Sequence, residues 1–301
     1  MLGVGASLLW PRGRLQAADS LKEIADGVHV FEGVHALISP ANQGHIANIG
    51  WIVGEEAVAV VDTGSSALQG RELRAAIRAV TDLPIRYVIA THVHPDHLFG
   101  HAAFLDDAPS FVGHRNLPAA LADRGPFYLD NLMETLGDLA EGTEVVMPDL
   151  LVEDALELDL GGRRLTLRAH RTAHTDNDLT VLDEASGLLF AGDLLFVGRC
   201  PVVDGSLLGW LEVIAELTDT GAKAVVPGHG PSIVPLSGAF EPQARYLRAL
   251  RDSVRAYIAE GGLIEDAVAT LPLASERPHW ALFDETHPRN VSAAYAELEW
   301  E

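Results

Sequence analysis

Ile85-Arg86-Tyr87-Val88-Ile89-Ala90 runs directly into Thr91-His92-Val93-His94-Pro95-Asp96-His97, and the reading of this junction decides the fold. The first six residues form an apolar run of strand length that ends in a polar loop. The loop then concentrates three imidazoles and a carboxylate, from His92 to His97. In extended backbone, residues two apart point the same way, so His92 and His94 can reach one metal ion. Pro95 starts a helix and turns Asp96 and His97 toward a neighbouring position. Packing alone does not explain such a cluster.

Outward from the junction, short apolar runs bounded by glycine read as strands: GVHVFEG from Gly27, IGWIVG from Ile49 and AVAVVDTGSS from Ala57. SPANQGHIAN, from Ser39 to Asn48, reads as a loop, and Arg71 to Thr81 has helical spacing. Downstream, HLFGHAAFL and Asp130 to Leu139 read as helical. A second run of strands begins near Leu151 and includes LELDL, RLTLRAH, LTVLD and GLLFAGD. A helix around Leu207 to Leu217 and the strand AVVPGHG follow. Pro242 to Ile258 is amphipathic, with Leu247, Leu250, Val254 and Ile258 on one stripe. Strands and a helix that end in a polar loop occur twice, so the chain reads as two similar α/β halves within one domain over residues 19–301.

Three further metal-ligating candidates lie at strand ends: His174 in RTAHTDND, Asp193 in LLFAGDLLF and His229 in VVPGHGP. Each alone reads equally as a structural histidine or a turn. With the first cluster they make five imidazoles and two carboxylates, enough for two adjacent four-coordinate zinc ions with one position open for water.

Composition narrows the classes. The 301 residues hold 43 Asp plus Glu against 21 Lys plus Arg, a formal charge of −22, with 48% hydrophobic and 21% charged residues. That is a globular balance, and its acidity excludes sequence-independent binding to nucleic acid or anionic lipid. The single cysteine, Cys200, cannot form an internal disulfide and reads as a small buried apolar residue. No run reaches the 18 or so apolar residues of a membrane span. Residues 1–18 carry a short apolar run before Leu15-Gln16-Ala17-Ala18, which reads as a degenerate export signal or as a disordered extension. The localisation expected is correspondingly periplasmic or exported, with cytoplasmic as the alternative.

The strand ending in Val60-Val61-Asp62-Thr63-Gly64, the His92 to His97 motif, His174, Gly192-Asp193 and Pro227-Gly228-His229-Gly230 stand in an order and spacing that resemble the metallo-β-lactamase superfamily. The resemblance implies an αββα sandwich with its metal site at the sheet edge. It implies that His92, His94 and His174 bind a first zinc ion, that Asp96, His97 and His229 bind a second, and that Asp193 bridges them. A bridging hydroxide would then attack a small ester, thioester, lactone or amide, with Asp96 as the catalytic residue that orients it. Asp62 matches a position that orients ligands or loop backbone, and also reads as a strand-end turn. Asp178 is either a similar supporting acid or an exposed loop residue.

Asp193 is typical of the thioesterase, lactonase and glyoxalase II-like branches, whereas β-lactamases generally have cysteine or serine there, which leaves at most low β-lactamase activity. HTDNDLTVLD, LLFAGDLLFVGRCPVVDGSLLGWL and HPRNVSAAYAELE resemble the SoxH-like, quinoprotein relay system zinc metallohydrolases. That resemblance implies export and a periplasmic quinoprotein dehydrogenase system as partner. The alternatives are a mononuclear iron persulfide dioxygenase, which uses the equivalents of His92, His94 or His174, and Asp193, and a non-enzymatic partner of the quinoprotein system. Other positions have two readings. His101 and His170 line the site edge or an ordinary surface. His287 and Asn290 fold over the pocket or cap the last helix. Tyr128 and Trp280 to Phe283 form a pocket wall or core.

Overall fold

Apolar β-branched runs place most strands in two sheets, seen in a computed structural model that describes residues 20–301. The first sheet holds β1 (Leu21–Ala25), β2 (Val28–Phe31), β3 (Ile49–Val53), β4 (Val58–Val61), β5 (Ile85–Ile89), β6 (Ser110–His114) and β7 (Leu150–Val152), in chain order. The second runs β13 (Val234–Pro235), β12 (Ala224–His229), β11 (Leu188–Phe196), β10 (Leu179–Asp183), β9 (Arg164–Ala169) and β8 (Ala155–Asp159). The sheets face each other through a shared apolar layer that includes Val30, Ile52, Val61, Leu165, Val181 and Phe190. Fully burying such a side chain contributes roughly 1.5–3 kcal/mol, and this layer fixes the two sheets against each other.

Helices cover both outer faces. Leu73 and Ile77 of α1 (Ala67–Val80) pack on Trp51 and Val60 of the first sheet. On the second sheet lie α4 (Leu207–Thr218), α5 (Glu241–Ala259), α6 (Ile264–Thr270) and α7 (Phe283–Leu298), whose buried residues join Leu195 and Phe196. The remaining helices are α2 (Pro95–Leu98) and α3 (Leu117–Leu136). The four layers make the expected αββα sandwich.

Pairing is antiparallel from β1 to β4, then parallel from β4 to β7. In the second sheet only β11 and β12 run parallel, joined through α4. Parallel strands bring successive carboxyl ends to one edge, where open α/β sheets place their binding loops. Asp62, Thr91 to His97 and His229 all follow or end such strands.

Several expectations needed correction. The half-exposed edge strand β1 precedes the first run read as a strand, and its LKEIA sequence lacks a clean alternation. Helix α1 starts at Ala67 rather than Arg71, because Ser66 Oγ accepts from Gln69 N and caps it. HLFGHAAFL is not one helix. It divides between α2 and a 3-10 turn over His101–Asp107, with Gly100 at the break. A Cβ on Gly100 would lie 2.1 Å from Thr63 O, so the bare backbone is what lets this loop pack against the end of β4. The helix expected from Asp130 begins at Leu117 and ends at Leu136, and Pro126 inside it hides its first half from the periodicity. The strand near Leu151 opens no second half. As β7 it pairs with β6 and completes the first sheet. Residues 1–18 lie outside the described residues.

Candidate metal centre

The site begins at Asp62, immediately after β4. Its backbone is left-handed (φ 57°), a conformation that aspartate tolerates better than most residues. One carboxylate oxygen accepts from Thr91 N at 2.8 Å, and the other from Thr91 Oγ1 at 2.8 Å and His97 Nδ1 at 2.7 Å. The end of β4 thereby locks the loop after β5. Because Thr91 Oγ1 donates to Asp62, it accepts from His92 Nδ1, 3.0 Å away.

Every candidate histidine shows the same logic. His94 Nε2 donates to Asp204 Oδ2 at 3.0 Å, His174 Nδ1 to Val202 O at 2.7 Å, and His229 Nδ1 to Ile46 O at 2.7 Å. A carbonyl or carboxylate oxygen cannot donate, so each outer nitrogen carries the proton. The inner nitrogens of His92, His94, His174 and His229 are then bare lone pairs. Such outer hydrogen bonds fix tautomer and ring orientation in metal-binding histidines.

The bare nitrogens converge. His94 Nδ1 lies 3.1 Å from His92 Nε2 and 3.0 Å from His174 Nε2. Asp193 Oδ2 lies 3.4 Å from His174 Nε2 and 3.7 Å from His92 Nε2, while its Oδ1 lies 3.2 Å from His97 Nε2 and 3.4 Å from His229 Nε2. Asp96 Oδ2 lies 3.4 Å from His229 Nε2. All seven predicted residues thus fall into two adjacent groups, with donor atoms in each within 4.8 Å of one another and the two oxygens of Asp193 divided between them. His97 Nε2 and Asp193 Oδ1 are buried without a hydrogen-bond partner. Converged lone pairs and orphaned buried atoms are what a pair of bound cations would satisfy, so the residues fit the metal that the sequence implies.

Electrostatics agrees. Burial, which outweighs the opposing charge of Asp193, holds His92 well below the usual imidazole range, with the charged His97 ring adding to it, and holds His174 down to about 4, so both are neutral. Burial also opposes a charge on His97, but Asp193 and Asp62 outweigh it and hold its proton well above the usual range. Burial raises Asp193 less than His229 and His97 lower it, so it is ionised. A metal ion must displace the His97 proton, so metal uptake should release about one proton per chain and affinity should rise with pH. Calorimetry in two buffers of different ionisation enthalpy measures that release, and identical heats in both would contradict it.

Two backbone features place Asp193. The β11–β12 register shifts on either side of Gly192, and such bulges re-aim side chains. A Cβ on Gly228 would come within 2.0 Å of Asp193 Oδ1, which explains the glycine before His229. Gly228→Ala should displace the Asp193 carboxylate and weaken metal binding about 10- to 100-fold, read by competition with a chromophoric chelator. Asn48 supports the same loop by donating to Pro227 O at 2.8 Å.

Asp178 is buried rather than exposed. It accepts from Thr175 N at 2.9 Å and Thr175 Oγ1 at 2.6 Å, which shapes the turn that carries His174. Burial lifts its carboxyl up to about 8. His101 and His170 lie off the site, bonded to Thr63 Oγ1 and Thr180 Oγ1. His287 and Asn290 neither cover the pocket nor cap a helix. His287 bonds Tyr246 OH, and Asn290 bonds Val203 N and Pro201 O, which fixes the segment carrying Val202 and Asp204. Trp280 and Phe283 are core, whereas Tyr128 lines the cleft. Cys200 is buried, and burial pushes its thiol up to about 12.

Sequence reasoning missed Asp204 and Arg199. Both lie in the stretch LLFAGDLLFVGRCPVVDGSLLGWL, but Asp204-Gly205 reads as a turn and an isolated arginine carries no signal. Burial disfavours the Asp204 charge, but the hydrogen bond from His94 and the charge of Arg124 hold its carboxyl well below the usual range. The metal-ligand candidates open into a cleft of about 340 Å³, walled by Phe127, Tyr128, Phe196 and Val202 and edged by Arg199 and Arg289.

A family model described as the metallo-beta-lactamase superfamily matches residues 43–256. A metallo-beta-lactamase family protein from Thermus thermophilus superposes with a TM-score of 0.65 at 21% identity, covering 92% of this chain and 94% of that one. A metallo-beta-lactamase from Pontibacter korlensis gives 0.61 at 20% identity, covering 76% and 98%. At these identities the likeness is one of fold. Among curated proteins, the Beta-lactamase-like protein 2 homolog of Caenorhabditis elegans is 27% identical over 177 residues, 58% of this chain and 52% of that protein. A linear primary-alkylsulfatase from a Pseudomonas species is 41% identical over 56 residues, 19% of this chain and 11% of that protein. The chain therefore spans about half or less of the curated relatives it matches.

Proposed function

The chain belongs to the metallo-beta-lactamase superfamily, and from that premise we propose that it is a dinuclear zinc hydrolase acting on a small ester, thioester, lactone or amide. The observation that carries this reading is the set of imidazoles whose outer nitrogens are committed to protein oxygens while their inner nitrogens converge in two groups around Asp193. His92, His94 and His174 would hold one ion, Asp96, His97 and His229 the other, with Asp193 shared. When bound, such a pair supplies Lewis acidity toward the substrate oxygen and a water of lowered pKa.

The chain's own groups complete the chemistry. Asp96 is the more accessible carboxylate, its side chain 13% exposed against 4% for Asp193. Burial works against its charge, but His97 and His229 keep it ionised, which suits it to orient water and accept a proton at the cleft floor. Phe127, Tyr128 and Phe196 offer apolar walls that keep bulk water from the reacting bond. The second group also brings its three donor atoms within 4.8 Å of one another, which favours two ions over the mononuclear iron alternative. Aspartate at 193 favours thioester or lactone hydrolysis over β-lactam hydrolysis. The resemblance to SoxH-like proteins makes export and a quinoprotein dehydrogenase partner part of this proposal, to be checked by fractionation and co-purification.

The test is metal quantification on purified protein together with Asp96→Asn in ester, thioester and lactone assays. About two zinc ions per chain and a rate loss on the order of 10²- to 10³-fold are expected. Less than one metal ion per chain, or an unchanged rate, would overturn the reading. Oxygen consumption with a persulfide would replace it with the iron reading.

A further inference from the structure

Arg199 is buried to 7% exposure, yet among the described residues no carboxylate lies within 4.0 Å of it. Its Nε has no hydrogen-bond partner. Its Nη1 lies 2.9 Å from His229 Nδ1, but that nitrogen already donates to Ile46 O and cannot accept, so the guanidinium contacts the ring edge without a hydrogen bond. The backbone around it is fixed, since Ala281 N donates to Gly198 O at 2.8 Å and Cys200 N to Ala281 O at 2.9 Å. The side chain faces the cleft that holds Asp96 and Asp193, and Arg289, exposed on α7, lines the same cleft, also without a carboxylate partner among the described residues. Arg124 differs, because Asp204 already pairs with it.

A buried cation without a paired carboxylate is costly, and Asp96 relieves this one only from across the cleft, beyond ion-pair distance. Metal binding sharpens the conflict. Two dications would add four positive charges against the carboxylates of Asp96 and Asp193 in the ligand set and of Asp62 and Asp204 behind the imidazoles, which leaves no negative charge over for Arg199 and Arg289. The missing negative charge must come from the ligand. Guanidinium matches the planar two-oxygen face of a carboxylate.

We infer that the substrate carries an oxyanion of carboxylate type that Arg199 and Arg289 bind, together with an apolar body that lies against Phe127 and Tyr128. Phe127 is 63% exposed at the cleft rim, an aromatic surface that such a body would cover. This inference rests on the hydrolase reading and names its substrate class. It also explains how a chain of charge −22 attracts an anion, since the cleft focuses a local positive field that the distant surface does not cancel. Arg289 lies beyond residues 43–256, so the anion subsite is built partly outside the family-wide match.

Phenyl acetate and monophenyl succinate test it. Hydrolysis adds water across the acyl–oxygen bond of either and releases phenol, and the two differ by one methylene and the remote carboxylate it carries. The metal-loaded full chain should prefer monophenyl succinate, and Arg199→Gln should cut the ratio of the two kcat/KM values about 10- to 100-fold, with Arg199→Lys retaining part of it. By calorimetry, 4-phenylbutyrate should bind more weakly to Arg199→Gln by a similar factor, and the neutral 4-phenylbutanol by much less. Arg289→Gln, on a more exposed position, should lower the same ratio by a smaller factor and serves if the Arg199 variants misfold. A ratio unchanged within twofold in both glutamine variants overturns the inference. If neither ester is hydrolysed and no metal is found, the hydrolase reading fails, and the two calorimetric ligands still decide whether the cleft selects an anion.

Discussion

Asp193→Ala is expected to reduce bound metal below one ion per chain after dialysis and to lower kcat/KM by on the order of 10³-fold. Loss of an outer hydrogen-bond partner costs metal sites about 10- to 100-fold, and the loss of a shared ligand exceeds that. Asp193 Oδ1 faces His97 and His229, and Oδ2 faces His92 and His174, so one truncation removes a donor from both groups at once. The same variant should abolish most of the proton release on metal uptake. Asp193 is the strongest influence holding the His97 proton, and without it burial drives that imidazole toward neutrality. Elemental analysis and two-buffer calorimetry read these effects separately. Two ions retained per chain would show that Asp193 bridges nothing.

Asp62→Ala should cost about 3–6 kcal/mol of stability, a large share of the 5–15 kcal/mol typical of a domain. It strands three donors, Thr91 N, Thr91 Oγ1 and His97 Nδ1, and replaces aspartate by alanine at a left-handed position. Each buried unsatisfied group costs about 1–3 kcal/mol, and the sum is less than additive because the loop relaxes. Asp62→Asn separates stability from site geometry. Its amide oxygen can still accept from Thr91 N, but its NH2 opposes His97 Nδ1–H and forces the ring into the tautomer whose inner nitrogen carries a proton. Denaturant unfolding should therefore show partial recovery in Asp62→Asn, whereas metal titration should not. Equal recovery in both measurements would mean that Asp62 supports the fold without aiming His97.

Much of the site is legible in the chain because metal ligation restricts residue type and backbone position together. His92, His94, Asp96 and His97 announce themselves by local spacing. His174, Asp193 and His229 announce themselves by standing where strands end. Asp62 is legible for a related reason, since a strand ending in Asp-Thr-Gly needs a residue that accepts a left-handed turn. Helix and strand bounds are less legible where local and tertiary preferences diverge. Pro126 breaks the periodic signal of α3 without breaking the helix, and the three-residue β7 has no pattern of its own that names its partner.

The sequence by itself determined the strand-rich α/β halves, the seven candidate ligands and the net acidity, because those follow from residue type and short-range spacing. Only the tertiary structure decided which oxygens hold the imidazoles: Val202 O is 28 residues from His174, Asp204 is 110 from His94, and Ile46 O is 183 from His229. Two of those partners are backbone carbonyls, which every residue possesses, so no side-chain signal marks them. The same holds for Arg199. An arginine in a sequence is a solvated charge until packing removes its water and supplies no anion in return.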